Sequence, residues 1–227
     1  MLINIEGTDG SGKGTQTKLL ASRLRRAGYN VRTIAFPRHG HPAAWTVDQY
    51  LKGHYGSLRD VGPFRGSLLY AIDRFDASFQ IQQWLNRGTI VIADRYPVSN
   101  CAHQGSKITS KAKRKAFWQW NLDLEHRLLR LPKPTHIVIL HVPVDISYKL
   151  IAKKKPRTYL QGKKRDIMEN DKKHLRLAER VFVELASYLP NAFLLECAPS
   201  GTLLSKKEIH EKIYAIVQRK LKSGVRS

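Results

Sequence analysis

Eight residues near the start of the chain, GTDGSGKG from Gly7 to Gly14, carry the clearest chemical signal. Gly7, four residues, then Gly12 and Lys13 is the spacing of a P-loop. Glycines let successive backbone N–H groups turn inward around a phosphate, and the start of the next helix adds its partial positive charge. The nucleotide-binding loop is therefore assigned to Gly7, Asp9, Gly10, Ser11, Gly12, Lys13, Gly14 and Thr15, with Lys13 reaching the β- and γ-phosphates. The pattern asks for Ser or Thr directly after the lysine as a magnesium ligand, and here that place is Gly14. Magnesium is then expected to rest mainly on water and phosphate oxygens, and Thr15 to bond an inner phosphate.

Carboxylates and cations recur at intervals from this loop. An acidic group beside polyphosphate is repelled unless it holds a cation or a hydroxyl. Asp9, like Glu6 a flank of the cradle, thus points to a sugar hydroxyl or a water-bound magnesium; the alternative is an aspartate stabilising its own turn. FPRHG places Arg38 just beyond Phe36 and a stiffening Pro37. DRYPVSNCAHQG sets Asp94 at the end of an apolar run, where P-loop proteins place a magnesium-associated carboxylate, with Arg95 beside it. Tyr70 and Arg74 are four apart and share a helix face. An aromatic over a fork of donors suits a planar base; the pair equally describes an exposed cationic face. Asp166 and Glu169, in RDIMEN, align on one helix face and either position substrate or magnesium-bound water, or favour a helix N-terminus. His39 and His41 have no Cys or carboxylate cluster to make them metal ligands.

The elements that must position these residues follow from periodicity. Five short runs rich in Ile, Val and Leu, at 2–6, 31–36, 89–94, 135–142 and 192–196, read as strands buried on both faces. Helical patterns fill the intervals at 13–27, 63–86, 110–131, 167–188 and 205–222, the second opening on a proline and carrying Leu68, Ile72, Phe75 and Phe79 at helical spacing. Alternating strands and helices imply an α/β fold, a parallel sheet with helices on both faces. Ligands then bind beyond the carboxyl ends of the strands, where the residues above fall. From Lys149 to Arg180 there are 12 Lys or Arg against four Asp or Glu. Its middle, KKKPRTYLQGKKR, lacks apolar periodicity and reads as a basic loop.

The 227 residues suit one domain, and no run approaches the roughly 18 apolar residues of a membrane helix. No secretory leader is expected at Met1. Two cysteines, Cys101 and Cys197, read as reduced thiols and point to the cytoplasm. A net charge of +22 attracts polyanions without naming one.

Taken together, EGTDGSGKGTQ, FPRHG, the DRF at Asp73–Phe75, DRYPVSNCAHQG and the Asp166–Glu169 pair after a basic segment resemble the thymidylate kinase family of P-loop nucleoside monophosphate kinases. They stand in the family's order over residues 1 to about 188. The resemblance implies the three-layer P-loop NTPase fold, with a basic lid near 150–166, and transfer of the ATP γ-phosphoryl to dTMP with Mg²⁺ as cofactor. It implies that Lys13 holds the transferring phosphate and that Asp94, with Asp9 through water, serves the metal. Asp9 would meet the sugar 3′-hydroxyl. Arg38 and Arg95 would bind the acceptor phosphate. Tyr70 would stack on the base, while Arg74, Asn100 and Gln104 read its edges. Phe36, Asp166 and Glu169 complete the implied substrate site. Arg157 is the implied catalytic cation of the lid, ahead of Lys153, Lys154 and Lys155, because lysine is a point charge and not a bidentate fork. A homodimer is implied, with no membrane and no required nucleic acid. Three positions depart from the family: Gly14, His39 and His103 in place of common Ser or Thr, Tyr and Tyr. The last is associated with excluding a ribose 2′-hydroxyl. A kinase of dUMP, UMP or AMP is therefore the alternative, and a basic protein using the P-loop as a switch is the reading from another class.

Overall fold

A computed structural model describes residues 1–152, 168 and 171–223. Five strands, β1 (Leu2–Gly7), β2 (Val31–Ala35), β3 (Ile90–Asp94), β4 (His136–His141) and β5 (Ala192–Glu196), form one parallel sheet in the order β2-β3-β1-β4-β5. All five coincide with the apolar runs. β1 lies at the centre, paired with β3 through Ile5 and Asp94 and with β4 through Gly7 and Leu140. The ends of β1 and β3 are thus side by side, and so are the two motifs they lead into.

Helices cover both faces. α1 (Lys13–Arg26) and α8 (Lys206–Ser223) bury Leu20, Leu24, Ile213 and Val217 on Ile3, Ile5, Val138 and Leu140. On the other face α4 (Pro97–His103), α5 (Lys111–Asp123) and α7 (Lys172–Tyr188) pack Val98, Phe117, Trp118 and Phe182 against Ile137 and Ile139. Each such large apolar side chain contributes roughly 1.5–3 kcal/mol on burial. α3 (Leu58–Asn86) closes the β3 end with Ala77 and Ile81 on Val91 and Ala93. The remaining helices are α2 (Trp45–Lys52) and α6 (Val144–Ala152).

Several elements differ from the sequence expectation. α3 starts before Pro63: a capping box of Ser57 and Asp60 opens an extra turn, broken at Gly62 (φ 70°) before the proline. The expected helix over 110–131 ends regularly at Asp123 and continues as a π-turn over Leu124–Leu128. α7 begins at Lys172, capped by the Asp171 side chain on the His174 N–H. α2, α4 and α6 are too short to show a period. The apolar stripe of α3 faces outward, Leu68, Ile72, Phe75 and Phe79 being 43%, 49%, 40% and 62% exposed. Its buried face carries Ser67, Ala71, Arg74 and Ser78 instead. Among the described residues no helix is long and apolar enough to cross a membrane.

Candidate active site

One cavity of about 580 Å³ runs along the carboxyl ends of the strands, from Leu203, Leu204 and Lys206 past the β1–α1 loop to Tyr70, Arg74 and Gln104. At its centre the loop turns through positive φ at Gly7, Gly10 and Gly12. Gly10 needs its missing side chain twice over: φ is +82°, and a Cβ there would strike the Ser147 carbonyl of α6. The first turn of α1 holds no acidic residue, so its N-terminus keeps its positive end for an anion. Lys13 Nζ donates to the carbonyls of Gly7 (3.0 Å) and Thr8 (2.8 Å). Thr8, Ser11 and Thr17 hydroxyls are buried there without a partner.

Gly14 has a spatial reason. A Cβ at this position would stand 3.1 Å from Asp94 Oδ2, so the glycine lets the β3 carboxylate overhang the first turn of α1. A hard oxygen donor over the first turn of α1 fits Mg²⁺, which takes one or two carboxylates and otherwise water and phosphate. Among the described residues no group of three or more His, Cys, Asp or Glu gathers into a protein-made metal cage, and none is required for that mode of binding. Asp9 is placed differently: its Oδ1 accepts from Arg95 Nη2 at 2.5 Å.

Arg95 is the hinge of the site. Its φ of 67° lies in the left-handed region, which costs a non-glycine residue about 1–3 kcal/mol. The turn folds the guanidinium back over the loop, toward the Gly7 carbonyl, Ser99 Oγ and His103 Nε2. Burial opposes its charge, but Asp9, Asp94 and Glu6 outweigh it and hold Arg95 above the ordinary arginine value. Glu6, fully buried, accepts from the Tyr96 and Ser99 N–H groups and from Ser99 Oγ, and so locks the β3–α4 turn. Burial, with the Arg95 cation, pushes His103 well below the usual histidine range. A neutral His103 beside a donor-only guanidinium accepts through Nε2. Its proton is therefore on Nδ1, which is buried and unpartnered.

The far wall is built from buried polar groups on α3, α4 and the π-turn. Arg74 commits Nε and Nη2 to the two oxygens of Glu125 at 2.5 and 2.7 Å, and both residues are sealed from solvent. Arg74 lines the cavity as well, and Nη1 is left over from that fork. Asn100 turns Nδ2 onto acceptors only: Ser67 O, Asn121 Oδ1 and Glu125 Oε1. Its Oδ1 is thereby the atom turned away from them. One helical turn on, Gln104 accepts through Oε1 from Lys107 Nζ at 2.6 Å, leaving a buried, unpartnered Nε2. Asn100 shares Glu125 with Arg74 and precedes Gln104 by one turn; outside these bonds the three side chains leave a donor (Arg74), an acceptor (Asn100) and a donor (Gln104).

The other sequence-assigned residues divide. Phe36, Tyr70, His103 and Asp94 line the cavity with the loop. Tyr70 meets the Tyr50 ring edge-on and lies 3.8 Å by its oxygen from Met168 Sδ. Arg38 does not line it: its guanidinium is tied to Asp73 and Asp76 of α3 at 2.7 and 2.5 Å. His39 does line it, with Nδ1 2.6 Å from the buried Asp48. Arg157, Asp166, Glu169 and Lys153 to Lys155 lie outside the described residues. Glu125, Lys107 and the Leu203–Lys206 end were missed. Glu125 sits in NLDLEHRLL, where two acids alternating with leucines give no local sign that one has a partner 51 residues away.

A P-loop at the carboxyl end of a parallel sheet's central strand, joined to a chamber of fixed hydrogen-bonding groups, defines a nucleotide-dependent phosphoryl-transfer protein. The thymidylate kinase family model matches residues 5–220. The thymidylate kinase of Mycobacterium tuberculosis is 35% identical over 188 residues, 82% of this chain and 86% of that protein. A probable thymidylate kinase of Thermococcus onnurineus is 31% identical over 228 residues, 97% and 98% of the two chains. The chain belongs to the thymidylate kinase family. In fold it matches a solved thymidylate kinase from Candida albicans with a TM-score of 0.72 over 96% of this chain and 91% of that one, at 22% identity.

Proposed function

We propose that this protein, acting as one domain over 1–227, transfers the γ-phosphoryl group of ATP to dTMP, giving dTDP and ADP. The observation that carries the reading is the donor–acceptor–donor wall of Arg74, Asn100 and Gln104. The thymine edge is its complement: carbonyl, N–H, carbonyl. Cytosine presents an amine and two acceptors in line, and guanine ends on a second donor, so each meets the wall with a mismatch. A site built to satisfy such groups rejects the wrong edge strongly, because its buried polar atoms are left unpaired. Tyr70 supplies the ring face.

The chemistry asks for two anions in line and their charge neutralised. The acceptor oxygen is already ionised, so no strong base is needed. Lys13, the loop amides and Arg95 surround the transferring group; the family likeness assigns Arg157 as the cation of the lid over 150–166, and Asp166 and Glu169 to the substrate. Arg38 reaches the acceptor phosphate by leaving Asp76. Asp94, with Asp9 through water, would hold Mg²⁺, which would supply positive charge to offset that of the phosphates. The outward stripe of Leu68, Ile72, Phe75 and Phe79 supports a homodimer packed across α3. Buried Cys101 and Cys197, both with thiol pKa values pushed up by burial, fit a reducing cytoplasm.

One observation favours a second reading. His103 lines the cavity and keeps a buried, unpartnered Nδ1–H, a donor for the ribose 2′-hydroxyl that UMP would bring to the same wall. A coupled ADP-release assay over dTMP, dUMP, UMP, dCMP and AMP separates the readings. Highest kcat/KM with dTMP is expected; AMP as the best acceptor would overturn the wall argument altogether.

A further inference from the structure

Lys107 takes no part in the cavity lining, yet its placement is costly. It closes the short 3-10 turn Gly105–Lys107 after α4 and points its ammonium inward. Burial alone pushes its pKa down to about 8. Its hydrogen-bond partners are both neutral: Gln104 Oε1 at 2.6 Å and Tyr50 Oη at 2.8 Å. An apolar side chain of the same length would fill this space without the desolvation cost. What the ammonium supplies is direction. It has three donors and no acceptor, so the amide beside it has only one admissible orientation, oxygen toward the lysine. Gly66 of α3 lets the amide lie against the helix backbone, since a Cβ there would stand 2.6 Å from the same Oε1 and 3.2 Å from Nε2. The amide is held by the two, and Nε2 is its buried, unpartnered atom in a side chain that lines the cavity.

We infer that Lys107 is a positioning residue for base selection: by holding Gln104 Oε1 it makes Gln104 a fixed N–H donor to a carbonyl of the acceptor base. The inference rests on the wall reading given above for thymine. Without the lysine the amide rotates between two states, only one of which pairs with a carbonyl. The loss is expected in ground-state binding of the base and not in the phosphoryl step, because Lys107 does not line the cavity and acts through Gln104. Lys107 also touches Tyr50, which meets Tyr70 at 6.2 Å between ring centroids, so the test must separate an effect through the amide from one through the rings.

The experiment is a double-mutant cycle on KM and kcat for the best acceptor, with thermal melting of each unliganded protein. Lys107→Met is expected to raise KM about tenfold with kcat changed less than twofold, and to melt at the same temperature or higher. Lys107→Arg, still donor-only, is expected to restore KM. In a Gln104→Met background, Lys107→Met is expected to add nothing further. Additive effects of the two substitutions, or a wild-type KM in Lys107→Met, would overturn the inference; so would a fall in kcat together with a lowered melting temperature that Lys107→Arg shares. The thymine reading fails separately, in wild-type protein, if dTMP is no better an acceptor than dCMP. The cycle remains measurable in that case.

Discussion

The two ends of the cavity are organised in opposite ways. At the wall proposed to read the base, each of three polar side chains is aimed by another: Arg74 by Glu125, Asn100 by Glu125 and Asn121, Gln104 by Lys107. At the phosphate loop the work falls to backbone amides, a helix end and small hydroxyls, three of them without partners. Phosphate is the same in every nucleotide, so a site for it needs close approach and positive potential, which glycines and a helix N-terminus supply. A base is told from other bases only by where its donors and acceptors stand. That information has to be stored in side chains whose own freedom has been removed, and long-range partners remove it.

The largest effect expected from this contrast is at Glu125. Glu125→Ala leaves the Arg74 guanidinium buried and unpaired, at a cost of about 3–5 kcal/mol in stability. Urea denaturation measures it. Replacing both partners, with Arg74→Met and Glu125→Leu, is expected to recover most of the stability and none of the dTMP binding. A double variant that still bound dTMP at the wild-type level would remove the wall from the account.

Next comes the loop. Lys13→Ala is expected to lower kcat by about 100-fold or more, with dTMP affinity little changed, because the cation serves the transferring phosphate and not the base. Near-wild-type turnover would deny it that role. Gly14→Ala tests a finer point at the same end. Its Cβ must displace the Asp94 carboxylate from 3.1 Å, a strain of about 1 kcal/mol, or roughly fivefold in kcat. Raising Mg²⁺ is expected to recover part of that loss, since a displaced carboxylate binds the ion less well.

The same contrast explains what the sequence disclosed. The loop is contiguous, so Gly7, Gly12 and Lys13 announced it by spacing, and the strands around it by their unbroken apolar runs. The wall is assembled from positions far apart: residue 74 meets residue 125, and residue 100 meets residue 67. Arg74 was marked by its spacing from Tyr70, with an exposed cationic face as the alternative, and Asn100 and Gln104 were reached by resemblance, while Glu125 and Lys107, which aim them, had no local mark. On α3 the helical period was legible but its direction was not. Periodicity says that one face is apolar; it does not say whether that face meets the protein's own sheet. Here the sheet side of the helix is taken by small residues and a buried arginine, and the aromatic stripe is turned out.

The smallest effect belongs to the brace behind the loop. α6, whose Ser147 carbonyl backs Gly10, starts with its Val144 N–H on Glu179 Oε2. His141 joins Glu179 and Glu196 at 3.0 and 2.6 Å. The Glu179 hydrogen bond, against some burial and with help from Glu196, raises His141 from 6.5 to about 9. A raised folded-state value means that the stabilisation is complete below pH 6.5 and is lost as pH rises through 9. Lys107, lowered to about 8, works the other way in the upper part of that window. It is common to wild type and His141→Gln and cancels in their difference. The gap in urea midpoint between these two proteins is therefore expected to be widest at acid pH and to close above 9, with KM for ATP rising before KM for dTMP. Equal rises would mean that the two ends of the cavity are braced as one piece after all.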